Sequence, residues 1–252
     1  MILNAVIRGD GPPLVLLHGL FGQAGNFGAI QKRLAARFRV VALDLRNHGA
    51  SPHAQGMTYP EMAADVLETL RHHEATPCAL LGHSMGGKAA MATALHAPGA
   101  VSRLLVADIA PVHYPTHFAG YISAMAGLGL HPGLTRAEAD AALSGAVESA
   151  GVRGFLLQNL RLGSAPAWKI GLTEIAAGLP DIEDWPATAL PPYPGPTLFL
   201  GGERSDYIRA EHRPAITAQF PAAKFVTLKN AGHWLHADNP EGFLAVAEVF
   251  MG

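Results

Sequence analysis

The chain has 252 residues, of which 49 % are hydrophobic and only 15 % charged, against roughly 25 % charged in an average soluble protein. That composition excludes disorder over most of the length, and 18 basic against 20 acidic residues, a net charge of −2, exclude the basic footprint of a nucleic-acid binder. A single cysteine, Cys78, excludes an internal disulfide framework and a cysteine-based zinc finger.

In chain order, the first ten residues carry neither the basic nor the apolar region of a secretory signal. No later apolar run approaches the roughly 18 residues a membrane span needs. A cytoplasmic protein without membrane partners is expected. Strand-sized apolar runs bounded by turn residues recur at 3–7, 14–17, 40–43, 78–81, 104–107, 197–200 and 225–228. Most lack polar alternation, as parallel strands covered on both faces do. Helix-like stretches at 28–37, 59–73, 86–97, 209–220 and 241–251 separate several of them. Alternating strands and helices predict an α/β fold with a mostly parallel sheet flanked by helices.

One interval breaks the alternation. From Pro115 to Trp185 there is no convincing strand, but helical fragments recur. Tyr121, Ile122, Met125 and Leu128 form one apolar face; Phe155, Leu156, Leu157 and Leu160 form another. About eighty residues is long for one crossover. An inserted helical lid over residues 115–185 is expected, leaving the sheet after Asp108 and returning at Thr197, with 1–114 and 186–252 as the core. The stiff run Pro191 to Pro196 closes it.

After the run at 78–81 comes Gly82-His83-Ser84-Met85-Gly86-Gly87, followed by helix-prone residues. This is G-x-S-x-G between a strand and a helix. A nucleophile on so tight a turn needs glycines, since side chains two residues either side would collide with the strand and helix. Ser84 is therefore the candidate nucleophile, lifted above the sheet at a helix N-terminus. The same residues mimic G-x-x-x-x-G-K, but Ala89 stands where a phosphate loop needs a hydroxyl. Lys88 is then expected on the exposed side of the helix.

A general base must reach Ser84, and histidine suits the task near neutrality. Of thirteen histidines, His233 follows the last predicted strand, where a loop at the strand's carboxyl end faces the ligand crevice. Gly232 lets that loop present it; His236 is the nearest competitor. The early turn His18-Gly19-Leu20-Phe21-Gly22 can offer a backbone N–H to an oxyanion, Leu20 first and Phe21 second, with Met85 as the other donor. His18 is expected to brace that turn.

The residues quoted so far, with Asp44-Leu45-Arg46-Asn47-His48-Gly49, Asp108-Ile109-Ala110-Pro111 and Gly232-His233-Trp234, resemble the α/β-hydrolase superfamily. Within it they resemble the small YbfF-like acyl esterases over nearly the whole chain. The resemblance implies an α/β-hydrolase fold, with the lid over 115–185 expected after the sixth strand. It also implies hydrolysis of short- to medium-chain acyl esters or thioesters through an acyl-enzyme, with no cofactor and no metal.

Many superfamily members carry the triad acid in a G-x-x-D turn, but lining up Ile208 puts Ser205 in that place. The narrower family's aspartate corresponds to Asp108, and its additional serine to Ser205. Asp108 ends a rigid strand, which suits a residue that must orient an imidazole; Asp206 is the alternative. The polar groups from Asp44 to Ser51 are expected to cross-brace loops. The pairs His113/His117 and His233/His236 lack a supporting carboxylate for a metal site. Two rivals use the same scaffold: a triad turned to carbon–carbon bond hydrolysis or lyase chemistry, and a binding receptor without catalysis.

Overall fold

The computed structural model describes residues 1–115, 118–186 and 189–252; His117 lies outside them. Strands β1 (Ala5–Arg8), β2 (Pro13–Leu17), β3 (Arg39–Leu43), β4 (Cys78–His83) and β5 (Val101–Ala107) come first. Strands β8 (Thr197–Gly202) and β9 (Ala223–Leu228) follow a long insertion that contains β6 (Leu160–Arg161) and β7 (Ala167–Trp168). The main sheet has the order β1-β3-β2-β4-β5-β8-β9. Its edge strand β1 runs antiparallel to β3, and the other pairings are parallel. Six of the seven runs expected from the sequence lie within these strands, and the run at 3–7 overlaps β1 from Ala5 onward.

Alternate side chains of each central strand feed two separate cores, as a period of two requires. Val15, Leu17, Val41 and Leu43 pack on one face, against helices α2 (Tyr59–His72) and α3 (Met85–His96). Leu14, Leu16, Val40 and Ala42 pack on the other, against α1 (Gly28–Leu34) and α11 (Pro240–Met251). Local chemistry starts the helices where the core needs them. Thr58 and Glu61 form a reciprocal capping box on α2, and the Asn239 side chain accepts from Gly242 N–H at the start of α11.

Between β5 and β8 lie α4 (Phe118–Ala126), α5 (Arg136–Leu143), α6 (Ala150–Leu157), α7 (Leu172–Ala177) and α8 (Leu179–Glu183). Two expectations need correction here. Strands β6 and β7 form a two-stranded ribbon inside a stretch that reads as strandless; at two residues each they are too short for any periodicity to register. The insertion also follows the fifth strand in chain order, not the sixth, because only β1 to β4 precede Val101–Ala107. After β8, α9 (Arg213–Gln219) packs Ile216 into the same core as α2 and α3, and the short α10 (Leu235–Asp238) follows β9. Among the described residues, no helix is long and apolar enough to cross a membrane.

Candidate active site

Strand β4 ends at His83, and α3 begins at Met85, so Ser84 alone turns the chain. Its φ of 53° and ψ of −124° are strained for a residue with a side chain. The turn is held from both sides: Ser84 N–H donates to Ala107 O at 2.9 Å, and Gly87 N–H donates to Ser84 O at 2.7 Å. The flanking glycines are steric necessities. A Cβ on Gly82 would sit 2.1 Å from Gly86 O, and one on Gly86 would sit 2.4 Å from His18 O. The nucleophile turn can therefore pass between the end of β2 and its own helix only because both positions lack a side chain.

Three side chains from distant parts of the chain meet here. His233 Nε2 lies 3.0 Å from Ser84 Oγ, and His233 Nδ1 lies 2.7 Å from Asp108 Oδ2. An ionised carboxylate can only accept, so Nδ1 carries the proton and Nε2 is free to accept from the Ser84 hydroxyl. Asp108 is fully buried. Its Oδ1 accepts from Gly202 N–H at 3.0 Å, and its Oδ2 also accepts from the Ser205 hydroxyl. Asp206 is on the surface instead, 88 % exposed and 3.6 Å from the Arg209 guanidinium.

The imidazole is further fixed by groups the sequence did not single out. The Tyr207 ring stacks on His233 with centroids 4.0 Å apart and planes 20° from parallel. His83 Nε2 donates to the His233 carbonyl at 2.7 Å. Burial, then the neighbouring His233 and His236 rings, pushes His83 well below the usual histidine range, so it stays neutral with one N–H to give. His236 lies behind His83, 5.1 Å between ring centroids, and burial pushes it down to about 4. Its ring faces Phe27 and Phe243 rather than Ser84.

The early glycine turn is braced as its sequence suggests. His18 Nδ1 donates to Gly19 O at 2.8 Å, and its Nε2 accepts from Leu45 N–H at 3.0 Å. Phe21, at φ 61°, donates its N–H to His48 Nε2 at 3.1 Å. Burial, reinforced by the His18 ring, pushes His48 down to about 3, so that acceptor persists at any working pH. Asp44 ties the neighbouring loops together, accepting from Ala24 N–H at 2.6 Å and Ala50 N–H at 2.8 Å. The segment from Asp44 to Ser51 thus holds the Leu20 backbone beside the N-terminus of α3.

Lys88 departs most from expectation. It is 1 % exposed, because α3 is buried on nearly all sides and has no solvent face to offer. Its Nζ donates to Glu183 O at 3.0 Å and Asp184 O at 2.7 Å. It also lies 5.4 Å from the Tyr59 ring centroid and 5.1 Å from that of Tyr114. Burial pushes it down to about 7 against the opposing pull of Asp184 and Glu183. Its neighbourhood was a usable signal: Lys88 is the only charged residue between Met85 and Leu95, so this helix has no polar face to turn to solvent.

A cavity of about 230 Å³ opens beside Ser84 and His233, walled by Phe27, Phe118, Tyr121, Phe155 and Trp234. Its mostly apolar lining with a few convergent polar groups is that of a small-molecule site. A strained serine within hydrogen-bond reach of a carboxylate-oriented imidazole is the arrangement of a serine hydrolase. The alpha/beta hydrolase family model matches residues 14–246, and the chain belongs to that family.

Particular relatives narrow the class. The chain is 46 % identical over 243 residues to the sn-1-specific diacylglycerol lipase ABHD11 of Xenopus laevis, covering 93 % of this chain and 78 % of that one. It is 35 % identical to esterase YbfF of Escherichia coli strain K12, covering 95 % and 92 %. A solved marine microorganism esterase superposes with a TM-score of 0.96 at 37 % identity, covering 99 % of both chains. The resemblance to the YbfF-like esterases holds, and the chain is a hydrolytic enzyme of the esterase type that acts on small-molecule esters.

Proposed function

We propose that this enzyme is a serine carboxylesterase or thioesterase that cleaves short- to medium-chain acyl groups through a covalent acyl-enzyme. Ser84 is the nucleophile, His233 the general base and then acid, and Asp108 the group that orients and stabilises the imidazolium. Ser205 completes the network by donating to the same carboxylate oxygen. Leu20 and Met85 supply the oxyanion N–H groups; Phe21, whose N–H is engaged by His48, does not. The reading is carried by one observation, the unbroken hydrogen-bond chain from Ser84 through His233 to a fully buried carboxylate.

In this mechanism His233 Nε2 takes the Ser84 proton as Oγ attacks the acyl carbonyl. The oxyanion forms against donors already fixed by the glycine turn and the start of α3, so little reorganisation opposes it. His233 then gives its proton to the departing alcohol or thiol. Water, activated by the same imidazole, releases the acid. Residues 115–185 act as a cap, since α4 and α6 contribute Phe118, Tyr121 and Phe155 to the cavity wall. The enzyme works in the cytoplasm as a monomer or small homo-oligomer in this reading, consistent with its lone, buried, unpaired Cys78.

The test is hydrolysis of p-nitrophenyl esters by wild type and Ser84→Ala, with fluorophosphonate labelling in parallel. Turnover and labelling at Ser84, both lost in the variant, are expected. Absence of both from wild type overturns the reading in favour of a binding protein. Labelling without ester turnover points to another reaction of the same triad.

A further inference from the structure

Among the described residues, Ser84 borders a larger and a smaller cavity. The first, already described, includes His233 in its wall. The second holds only about 20 Å³, room for little more than one water-sized group. Leu20, Met85, Ile109, Tyr114 and Ile182 line it with Lys88 at its boundary; Phe118 and Tyr207 border both cavities, and His233 borders only the larger.

Their positions decide which side of an ester each can take. On collapse of the tetrahedral intermediate the bond from the acyl carbon to the alcohol oxygen breaks, and that oxygen takes the proton from His233 Nε2. The alcohol must therefore leave from the side His233 borders, the larger cavity. The carbonyl oxygen points to the N–H groups of Leu20 and Met85. The remaining substituent of the acyl carbon is the acyl chain, and the remaining space around Ser84 is the small cavity, which Met85 walls and His233 does not.

We infer that the small cavity is the acyl pocket and admits acyl groups of two or three carbons, while the larger cavity takes a bulky, apolar alcohol. This rests on the esterase reading and narrows its short- to medium-chain range to the short end. Depth is set by the far wall, Ile182, which belongs to α8 and not to the sheet. Two groups hold that helix end against the core. The Tyr59 hydroxyl donates to Ile182 O at 2.6 Å, and Lys88 Nζ donates to the next two carbonyls, Glu183 O and Asp184 O. Lys88 is thus a positioning residue. Standing in the first turn of α3, the helix that Ser84 precedes, it fixes the distance between the nucleophile turn and the pocket wall at Ile182.

Isomeric esters that exchange the two sides test the assignment directly. Benzyl acetate and methyl phenylacetate have the same atoms and both release a simple alcohol, so kcat/KM followed by acid release compares acyl and alcohol fit. Benzyl acetate is expected to be preferred at least twentyfold. Ile182→Ala, and separately Lys88→Met and Tyr59→Phe, are expected to shrink that preference at least fivefold by deepening or loosening the wall. A purely structural role for Lys88 would lower both rates together and leave their ratio where it was, and that result removes Lys88 as a positioning residue. Equal rates in wild type, or a preference for methyl phenylacetate, overturn the pocket assignment while leaving the hydrolase reading intact. Turnover of neither isomer, with no fluorophosphonate labelling, overturns both.

Discussion

Tyr207 lies flat on the imidazole of His233, centroids 4.0 Å apart, so one face of the catalytic base is covered by an aromatic ring. Ring and imidazole come from different loops, and Tyr207 is itself anchored, because its carbonyl accepts from the Tyr114 hydroxyl. Stacked aromatic pairs contribute about 0.5–1.5 kcal/mol beyond area burial. Tyr207→Ala should lower kcat/KM about three- to tenfold by widening the range of His233 orientations. Tyr207→Phe, which keeps the ring, should stay close to wild type. Steady-state kinetics on one activated ester decides it; equal losses in both variants would tie the effect to the hydroxyl instead.

Asp108 and Asp206 carry the same carboxylate in opposite settings. Asp108 adopts φ 54°, a conformation asparagine also tolerates, so Asp108→Asn removes the charge without forcing the backbone. An amide can present the wrong hydrogen-bonding partner to Nδ1 and invert the tautomer. The expected loss in kcat is about four orders of magnitude, as for other Ser-His-Asp sites, with unchanged thermal stability as the control. Asp206→Asn, at an 88 % exposed side chain, should stay within about twofold, since exposed ion pairs contribute about 0–1 kcal/mol. The reverse ranking would remove Asp108 from the triad.

Ser205 touches the same carboxylate from the other side and also accepts from Tyr207 N–H at 3.3 Å. It therefore links the acid to the residue stacked on the base. A hydrogen bond to a charged group contributes about 1.5–3 kcal/mol. Ser205→Ala should cost about tenfold or more in kcat and leave KM nearly unchanged, because the hydroxyl orients the acid and meets no substrate. A rise in KM with kcat intact would instead assign Ser205 to binding.

Much of this was legible in the sequence because its chemistry is local. Unbroken apolar runs mark strands buried on both faces, and β2, β4 and β5 are such strands. The glycines around Ser84 mark a turn whose geometry tolerates nothing larger, and His233 is marked by standing after the last strand. What the sequence concealed depends on contacts across the fold. Lys88 reads as a surface lysine because its partners are backbone carbonyls of Glu183 and Asp184, about 95 positions away, and carbonyls carry no sequence signature. His83 is hidden similarly, since it braces the His233 main chain. Tyr207 sits in a turn whose register is set by Asp108, a strand away.

Lys88 makes stability depend on pH in an unusual direction. Its ammonium is held from an ordinary value of 10.5 down to about 7 by burial. The groups that face it are Tyr59 from α2, Tyr114 from the loop after β5, and Glu183 and Asp184 at the end of α8. Between pH 7 and 10.5 the unfolded chain binds a proton here that the folded chain has released, so folding is favoured more strongly as pH rises through that window. Below pH 7 both states are charged, and the folded state bears the full cost of the buried cation. A tenfold change in proton affinity corresponds to about 1.4 kcal/mol. Lys88→Met carries no such titration, so urea unfolding should find wild type gaining on the variant by roughly 2–4 kcal/mol between pH 6 and pH 9.5. The amine keeps two N–H donors after losing its proton, so the contacts to Glu183 and Asp184 survive the change. A stability difference that stays flat across that range, or falls with rising pH, would mean that Lys88 keeps its charge when buried.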